Sequence, residues 1–181
     1  MIYVICYDWA STSGNHTGMR YLYEYIQKSN PELYKMYTFN MGGRFLDKGK
    51  RGKKISVFLT ALKLAMAYKS GDKFILTEYL HRDSYQILFA KIIRFICPKA
   101  PIYAMVHLVP EKLEGQYSKA QIKKSSRFVT DFVTLGSSST CYLNSLGIEN
   151  VYTSFHYVDN NYYTPSANLC NRDDDVKVIV M

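Results

Sequence analysis

The chain has 181 residues, enough for one domain of ordinary size and too few for two full-sized ones. Hydrophobic residues make up 48% and charged residues 21%, a globular balance that excludes a disordered chain. The 23 Lys+Arg against 15 Asp+Glu leave +8, which favours an anionic partner: nucleic acid, anionic lipid or a phosphorylated small molecule.

Ile2 to Tyr7 is a near-continuous apolar run, predicted to be a strand buried on both faces of a parallel sheet. The small-residue loop Ser11 to Asn15 follows, then a helix carrying Leu22, Tyr25 and Ile26 on one face and stopped at Asn30-Pro31. Leu33 to Phe39 is the second strand. Residues 40–54 are polar, basic and glycine-containing, and are predicted to be a loop. Ile55, Phe58, Leu59, Leu62 and Met66 then fall at helical spacing, widened by Val57, Ala61, Leu64 and Tyr68. That pattern predicts a helix over 55–70 with only Ser56, Thr60 and Lys63 on its polar stripe.

Lys73 to Tyr79 is the third strand. Tyr85, Leu88, Phe89, Ile92 and Ile96 mark the next helix, ended by Pro98, and Pro101 to Val109 is the fourth strand. A loop from Pro110 leads to a helix near Ser118 to Phe128, opened by the capping-box pattern Ser118-x-x-Gln121. Asp131 to Leu135 is a short fifth strand. Ser138 to Leu146 is a short helix closed by Gly147, and 151–158 is the sixth strand. Residues 159–175 are polar and irregular, and Val176 to Met181 is a bare apolar strand.

Strand and helix alternate throughout, which predicts an α/β domain: a mostly parallel sheet with helices on both faces. Ligands of such sheets sit beyond the carboxyl ends of the strands. Residues 1–168 are expected to form this domain and 169–175 a linker. The terminal strand 176–181 is either an edge of the same sheet or, as expected here, the first strand of a second domain.

The four cysteines form no C-x-x-C pair and no Cys/His spacing suits zinc, so no metal site is expected. Cys6 and Cys97 lie in apolar runs and are read as small core residues, which suits a reducing, cytoplasmic location. The first ten residues lack a basic n-region and a cleavage motif, and no stretch reaches the ~18 apolar residues of a spanning helix. A soluble or peripheral protein is expected.

Several residue sets fall on the predicted ligand side. The loop after the first strand holds Gly14, Asn15, Thr17 and Gly18, where backbone can approach an anion at a helix N-terminus. A plain tight turn capped by Thr17 is the competing reading. His107 ends the fourth strand, where an imidazole can bond a sugar hydroxyl or a phosphate. At the end of the third strand Glu78 or Asp83 suits a polyol, with His81 on the same predicted ligand side, while Asp83 or Ser84 reads equally as the cap of the next helix. His156, within the sixth strand, is read as structural. Lys48, Lys50, Arg51, Lys53 and Lys54 put five basic residues in seven beside the apolar helix 55–70. That patch suits an anionic membrane, nucleic-acid phosphates or plain solvent. No RRM, KH, helix-turn-helix or zinc-finger pattern supports nucleic acid.

In order and spacing, these features resemble family 4 glycosyltransferases of the GT-B fold. The resemblance rests on the glycine-bearing loop, His107, the serines after the fifth strand, and Val158-Asp159-x-x-Tyr162-Tyr163-x-Pro165. The last piece is similar to the family's N-G-V-D-x-x-x-F-x-P, although His156-Tyr157 stands where the family has Asn-Gly. The resemblance implies one Rossmann-like half of a GT-B fold, the N-terminal acceptor-binding domain. It implies retaining transfer of a sugar from a nucleotide-sugar, itself the substrate, to a glycan or lipid-linked acceptor, with no cofactor and no catalytic metal. It gives His107 a contact to the transferred sugar and gives Gly14, Asn15, Thr17 and Gly18 the donor diphosphate or acceptor. Ser137 or Ser138 lines the cleft. The main donor-binding residues belong to the family's second domain, so this chain alone is expected to be inactive. The rival reading is a stand-alone α/β module for a phosphorylated ligand.

Overall fold

A computed structural model describes residues 1–6, 25–39 and 49–154. Six strands form one sheet: β1 (Ile2–Cys6), β2 (Tyr34–Thr38), β3 (Lys73–Leu76), β4 (Ile102–Val106), β5 (Asp131–Thr134) and β6 (Val151–Thr153). Their order is β2-β1-β3-β4-β5-β6, and every pair is parallel. The helices are α1 (Gly49–Ala67), α2 (Gln86–Ile96), α3 (Pro110–Gln116), α4 (Lys119–Ser126) and α5 (Ser137–Ser145). The α/β fold expected from alternating patterns is therefore present.

Alternate residues of each strand serve opposite faces. Tyr3, Ile5, Phe74, Leu76, Ile102, Ala104, Val106 and Phe132 join the large core that also takes residues from the helices. Val4 and Cys6 form a second cluster with Ile2, Tyr34, Met36, Ile75 and Met105 on the other face. Burial on both faces explains why β1 reads as an unbroken apolar run. Strand order reverses direction at β2. Val57, Phe89, Leu113, Ile122 and Leu143 join the core of Tyr3 and Ile5, so α1 to α5 cover one face of the sheet, as right-handed crossovers with this strand order require.

Two local signals form as expected. Ser118 Oγ accepts from the Gln121 N–H at 3.3 Å while Gln121 Oε1 accepts from the Ser118 N–H at 2.8 Å, closing the capping box of α4. After α5, Gly147 takes φ 75°, and its N–H donates to Asn144 O at 2.9 Å. The Ile148 N–H donates to Leu143 O at 3.3 Å, and both side chains are buried in the main core, which completes a Schellman ending.

Four expectations need correction. The basic segment is not loop up to residue 54, because α1 starts at Gly49 and Lys50, Arg51, Lys53 and Lys54 stand in its first turns. Lys and Arg are good helix formers, and polarity alone does not make a loop. The buried face of α1 keeps Val57, Ala61 and Leu64 from the expected stripe but is centred on the side expected to be polar. Ser56, Val57, Thr60, Ala61, Leu64 and Ala65 face inward, whereas Ile55, Phe58, Leu59 and Met66 are exposed. Small side chains let the helix sit close to its neighbours, and the buried hydroxyls are satisfied: Ser56 Oγ donates to Phe39 O, and Thr60 Oγ1 donates to Ser56 O at 2.8 Å. The segment after Val109 is helical, with Pro110 opening α3, a position where its missing N–H costs nothing. Last, β3 ends at Leu76, so Glu78 lies beyond the strand. The terminal segment 176–181, residues 7–24 with the expected loop and first part of the helix after β1, and His156 lie outside the described residues.

At the amino edge, Asp72 is buried and accepts from the Met1 ammonium at 2.8 Å, the Lys69 N–H at 2.9 Å and the Tyr3 hydroxyl at 3.4 Å. Burial alone would raise this carboxyl, but the three donors together hold it below its ordinary value. A depressed carboxyl contributes stability above its unfolded value and loses it as pH falls through the folded one. Asp72→Asn is therefore expected to lower the urea midpoint at pH 7 and to match the parent near pH 2.

Candidate functional site

The carboxyl edge of the sheet is built around the turn that leaves β3. Thr77 extends the β1–β3 ladder, donating to Ile5 O from both its N–H and its Oγ1 at 3.1 Å. Gln86, fully buried in the first turn of α2, spans the gap from β1 to this turn. Its Nε2 donates to Ile5 O at 2.9 Å, and its Oε1 accepts from the Glu78 N–H at 2.8 Å. Between them, Leu80 (φ 60°) and Tyr85 (φ 56°) both adopt left-handed backbone, which costs a residue with a Cβ roughly 1–2 kcal/mol.

Several contacts hold that strained turn in place. Leu80 is fully buried, Ser84 Oγ donates to His81 O at 2.8 Å, and Gln116 of α3 accepts from the Arg82 N–H at 2.8 Å. The Tyr79 N–H donates to Met105 O at 2.9 Å and its hydroxyl to Ser125 O at 2.9 Å, tying the turn to β4 and to α4. Strain of this kind persists only where surroundings over-determine it, and it concentrates at functional sites. Tyr85, not Asp83 or Ser84, occupies the N-cap position of α2, although Ser84 Oγ does accept from the Gln86 N–H at 3.3 Å.

The turn presents Glu78 to His107, the residue directly after β4. Glu78 Oε1 lies 4.0 Å from His107 Nε2, within ion-pair range and beyond a direct hydrogen bond. Glu78 is only 8% exposed, and burial pushes its carboxyl up to about 7. A carboxyl in this range exchanges its proton near neutral pH, so it can serve as hydrogen-bond donor or acceptor to a hydroxyl. Cys6 adjoins the pair at the end of β1. Burial raises its thiol, opposed by a hydrogen bond with Thr77 and reinforced by the Glu78 charge, which favours the protonated form.

The β5 side of the edge carries hydroxyls. Thr134 and Thr140 Oγ1 atoms lie 2.6 Å apart, as do those of Thr140 and Thr153, forming a chain from β5 through α5 to β6. Ser139 Oγ donates to Leu108 O at 3.0 Å and fixes α5 against the segment following His107. Ser137 and Ser138 are exposed on the first turn of α5, bordering the edge two strands from β3.

Among the sequence-predicted residues, the structure brings Glu78 and His107 together and sets half-buried His81 in the same turn. Lys50, Arg51, Lys53 and Lys54 lie on α1, away from that pair in sequence and on a separate element. Gly14, Asn15, Thr17, Gly18 and Lys48 lie outside the described residues. Sequence reasoning missed Thr77 and Gln86. The one signal for Gln86 is a polar residue opening an otherwise apolar helical turn, QILF. Among the described residues, no cluster of three or more His, Cys, Asp or Glu side chains is arranged to hold a metal ion. Compared with known proteins, the chain matches no family model, no curated protein and no solved structure.

Proposed function

We propose that this chain is the acceptor-binding domain of a glycosyltransferase, which moves a sugar from a nucleotide-sugar to a glycan or lipid-linked acceptor without a catalytic metal. One observation carries the reading: Glu78 and His107 face each other at the carboxyl ends of adjacent parallel strands, where α/β sheets bind ligands. Hydroxyl-rich ligands need groups that both donate and accept. A carboxyl titrating near 7 beside an imidazole supplies both at one place. In this reading Glu78 holds an acceptor hydroxyl, His107 bonds a hydroxyl of the transferred sugar, and Ser137 and Ser138 border the cleft.

The reading includes a cytoplasmic location, peripheral at the inner face of the cell membrane. None of the described helices is long and apolar enough to cross a membrane. Five basic and no acidic side chains on α1 supply the attraction to an anionic surface.

The test is binding to the full chain, followed by isothermal titration, of alkyl hexosides and of UDP- and GDP-linked hexoses. Wild-type protein is expected to bind a hexoside, and Glu78→Gln and His107→Ala each to weaken it about tenfold, the cost of a hydrogen bond to an ionisable group. Affinity unchanged in both variants would falsify the role of the pair. Binding of inorganic phosphate with no binding of any sugar would replace the proposal with a stand-alone phosphate-ligand module.

A further inference from the structure

Among the described residues, the most unusual surface is the outward side of α1. Helices on a sheet ordinarily turn their large apolar residues inward. Here Ile55, Phe58, Leu59 and Met66 follow one another at spacings of three, one and seven residues along a single outward stripe. Phe58 is 49% exposed and Met66 74%. The inward stripe, centred on Ser56, Thr60, Ala61 and Leu64, lies on the opposite side. Cys97 Sγ lies 3.7 Å from Ala65 O, which packs the residue following α2 against the last turn of α1, and near that end of α2 Phe95 is 86% exposed.

Charge surrounds this stripe with one sign. Arg51 precedes it by one turn on the same side, while Lys54 and Lys63 fall on its two flanks at the helical angle of about 100° per residue. All three are exposed. The 19 residues of α1 contain no Asp or Glu, whereas a solvated helix ordinarily interleaves both signs. An apolar stripe flanked by Lys and Arg is the pattern of a helix lying in a bilayer interface.

We propose that the outward face of α1, with Phe95 at its end, docks onto an anionic lipid bilayer. Phe58, Leu59 and Met66 enter the headgroup–acyl boundary, while Arg51, Lys54 and Lys63 bond lipid phosphates. The charges favour this occupant over a second copy, since pairing α1 with α1 would bring ten like charges from two +8 chains together. The inference rests on the peripheral location proposed above and is independent of sugar transfer. It adds which surface makes the contact.

Vesicle flotation tests it, using phosphatidylcholine alone and an equal mixture of phosphatidylcholine and phosphatidylglycerol. The full chain is expected to float with the mixed vesicles only, and added salt is expected to release it. Phe58→Gln with Leu59→Gln is expected to lower the partition at least tenfold. Because both side chains already face solvent, the circular dichroism spectrum should be unchanged. Lys54→Gln and Lys63→Gln should each lower partition about fivefold. If wild type floats with neither vesicle, the peripheral location and the docking face both fall. If it floats and the Phe58/Leu59 variant floats equally well, the docking face alone falls. A wild-type dimer that this variant dissolves, with no vesicle binding, would identify a second copy as the occupant and overturn the proposal.

Discussion

Replacing Gln86 by Leu is expected to lower the unfolding free energy by about 3 kcal/mol, the largest loss predicted for any single polar side chain of the site. The side chain is fully buried and similar in volume to Leu, so the loss is not one of packing. Ile5 O keeps its two bonds from Thr77 in the variant, whereas the Glu78 N–H, which Gln86 Oε1 accepts at 2.8 Å, loses that bond in a buried place. An orphaned buried amide costs roughly 1–3 kcal/mol. The adjoining turn holds two left-handed residues, Leu80 and Tyr85, whose strain is tolerated only while its anchors are intact. Urea unfolding should show a lower midpoint with an unchanged slope, and thermal unfolding a fall of roughly 6–12 °C. Gln86→Glu separates the causes: it retains an acceptor for the Glu78 N–H but removes the donor to Ile5 O and adds a buried charge. Its deficit should therefore grow as pH rises, while that of Gln86→Leu stays level. A deficit below about 0.5 kcal/mol for Gln86→Leu would mean that the turn does not depend on the amide.

The strands and α2 were legible in the sequence because burial on both faces leaves a short unbroken apolar run, whereas one buried helix face leaves a period of 3.6. Ser118 and Gly147 were legible because capping is local chemistry within four residues. Glu78 and His107 were found by a rule of topology, that strand ends line the cleft, which needs no knowledge of contacts. Gln86 was beyond such rules. Its partner Ile5 is 81 residues away, and only the pairing of β1 with β3 brings the two into reach. The face of α1 was misread for a related reason. Periodicity establishes that a helix has two stripes but not which one meets the sheet. Hydrophobicity favoured Phe58 and Leu59, while close approach favoured Ser56, Thr60 and Ala61.

Glu78 gives the second large effect, and its sign is opposite to that of Asp72. Burial raises the Glu78 carboxyl from 4.5 to about 7, so folding favours its protonated form. Its contribution to stability is fully present below the unfolded value, near 4.5, and is lost as pH rises through the folded value, near 7. The loss corresponds to about 3 kcal/mol between those limits. Glu78→Gln keeps the shape and removes the titration. It is expected to match wild type near pH 4.5 and to exceed it by about 3 kcal/mol at pH 8, measured as urea unfolding free energies at both values. Parallel pH profiles for the two proteins would exclude a buried, raised carboxyl. His107→Ala provides the control. If burial is the cause, the slope persists without the imidazole 4.0 Å away. Glutamine would fill the same space without a charge to desolvate, so a carboxyl kept at this strand end supports the binding role proposed for Glu78.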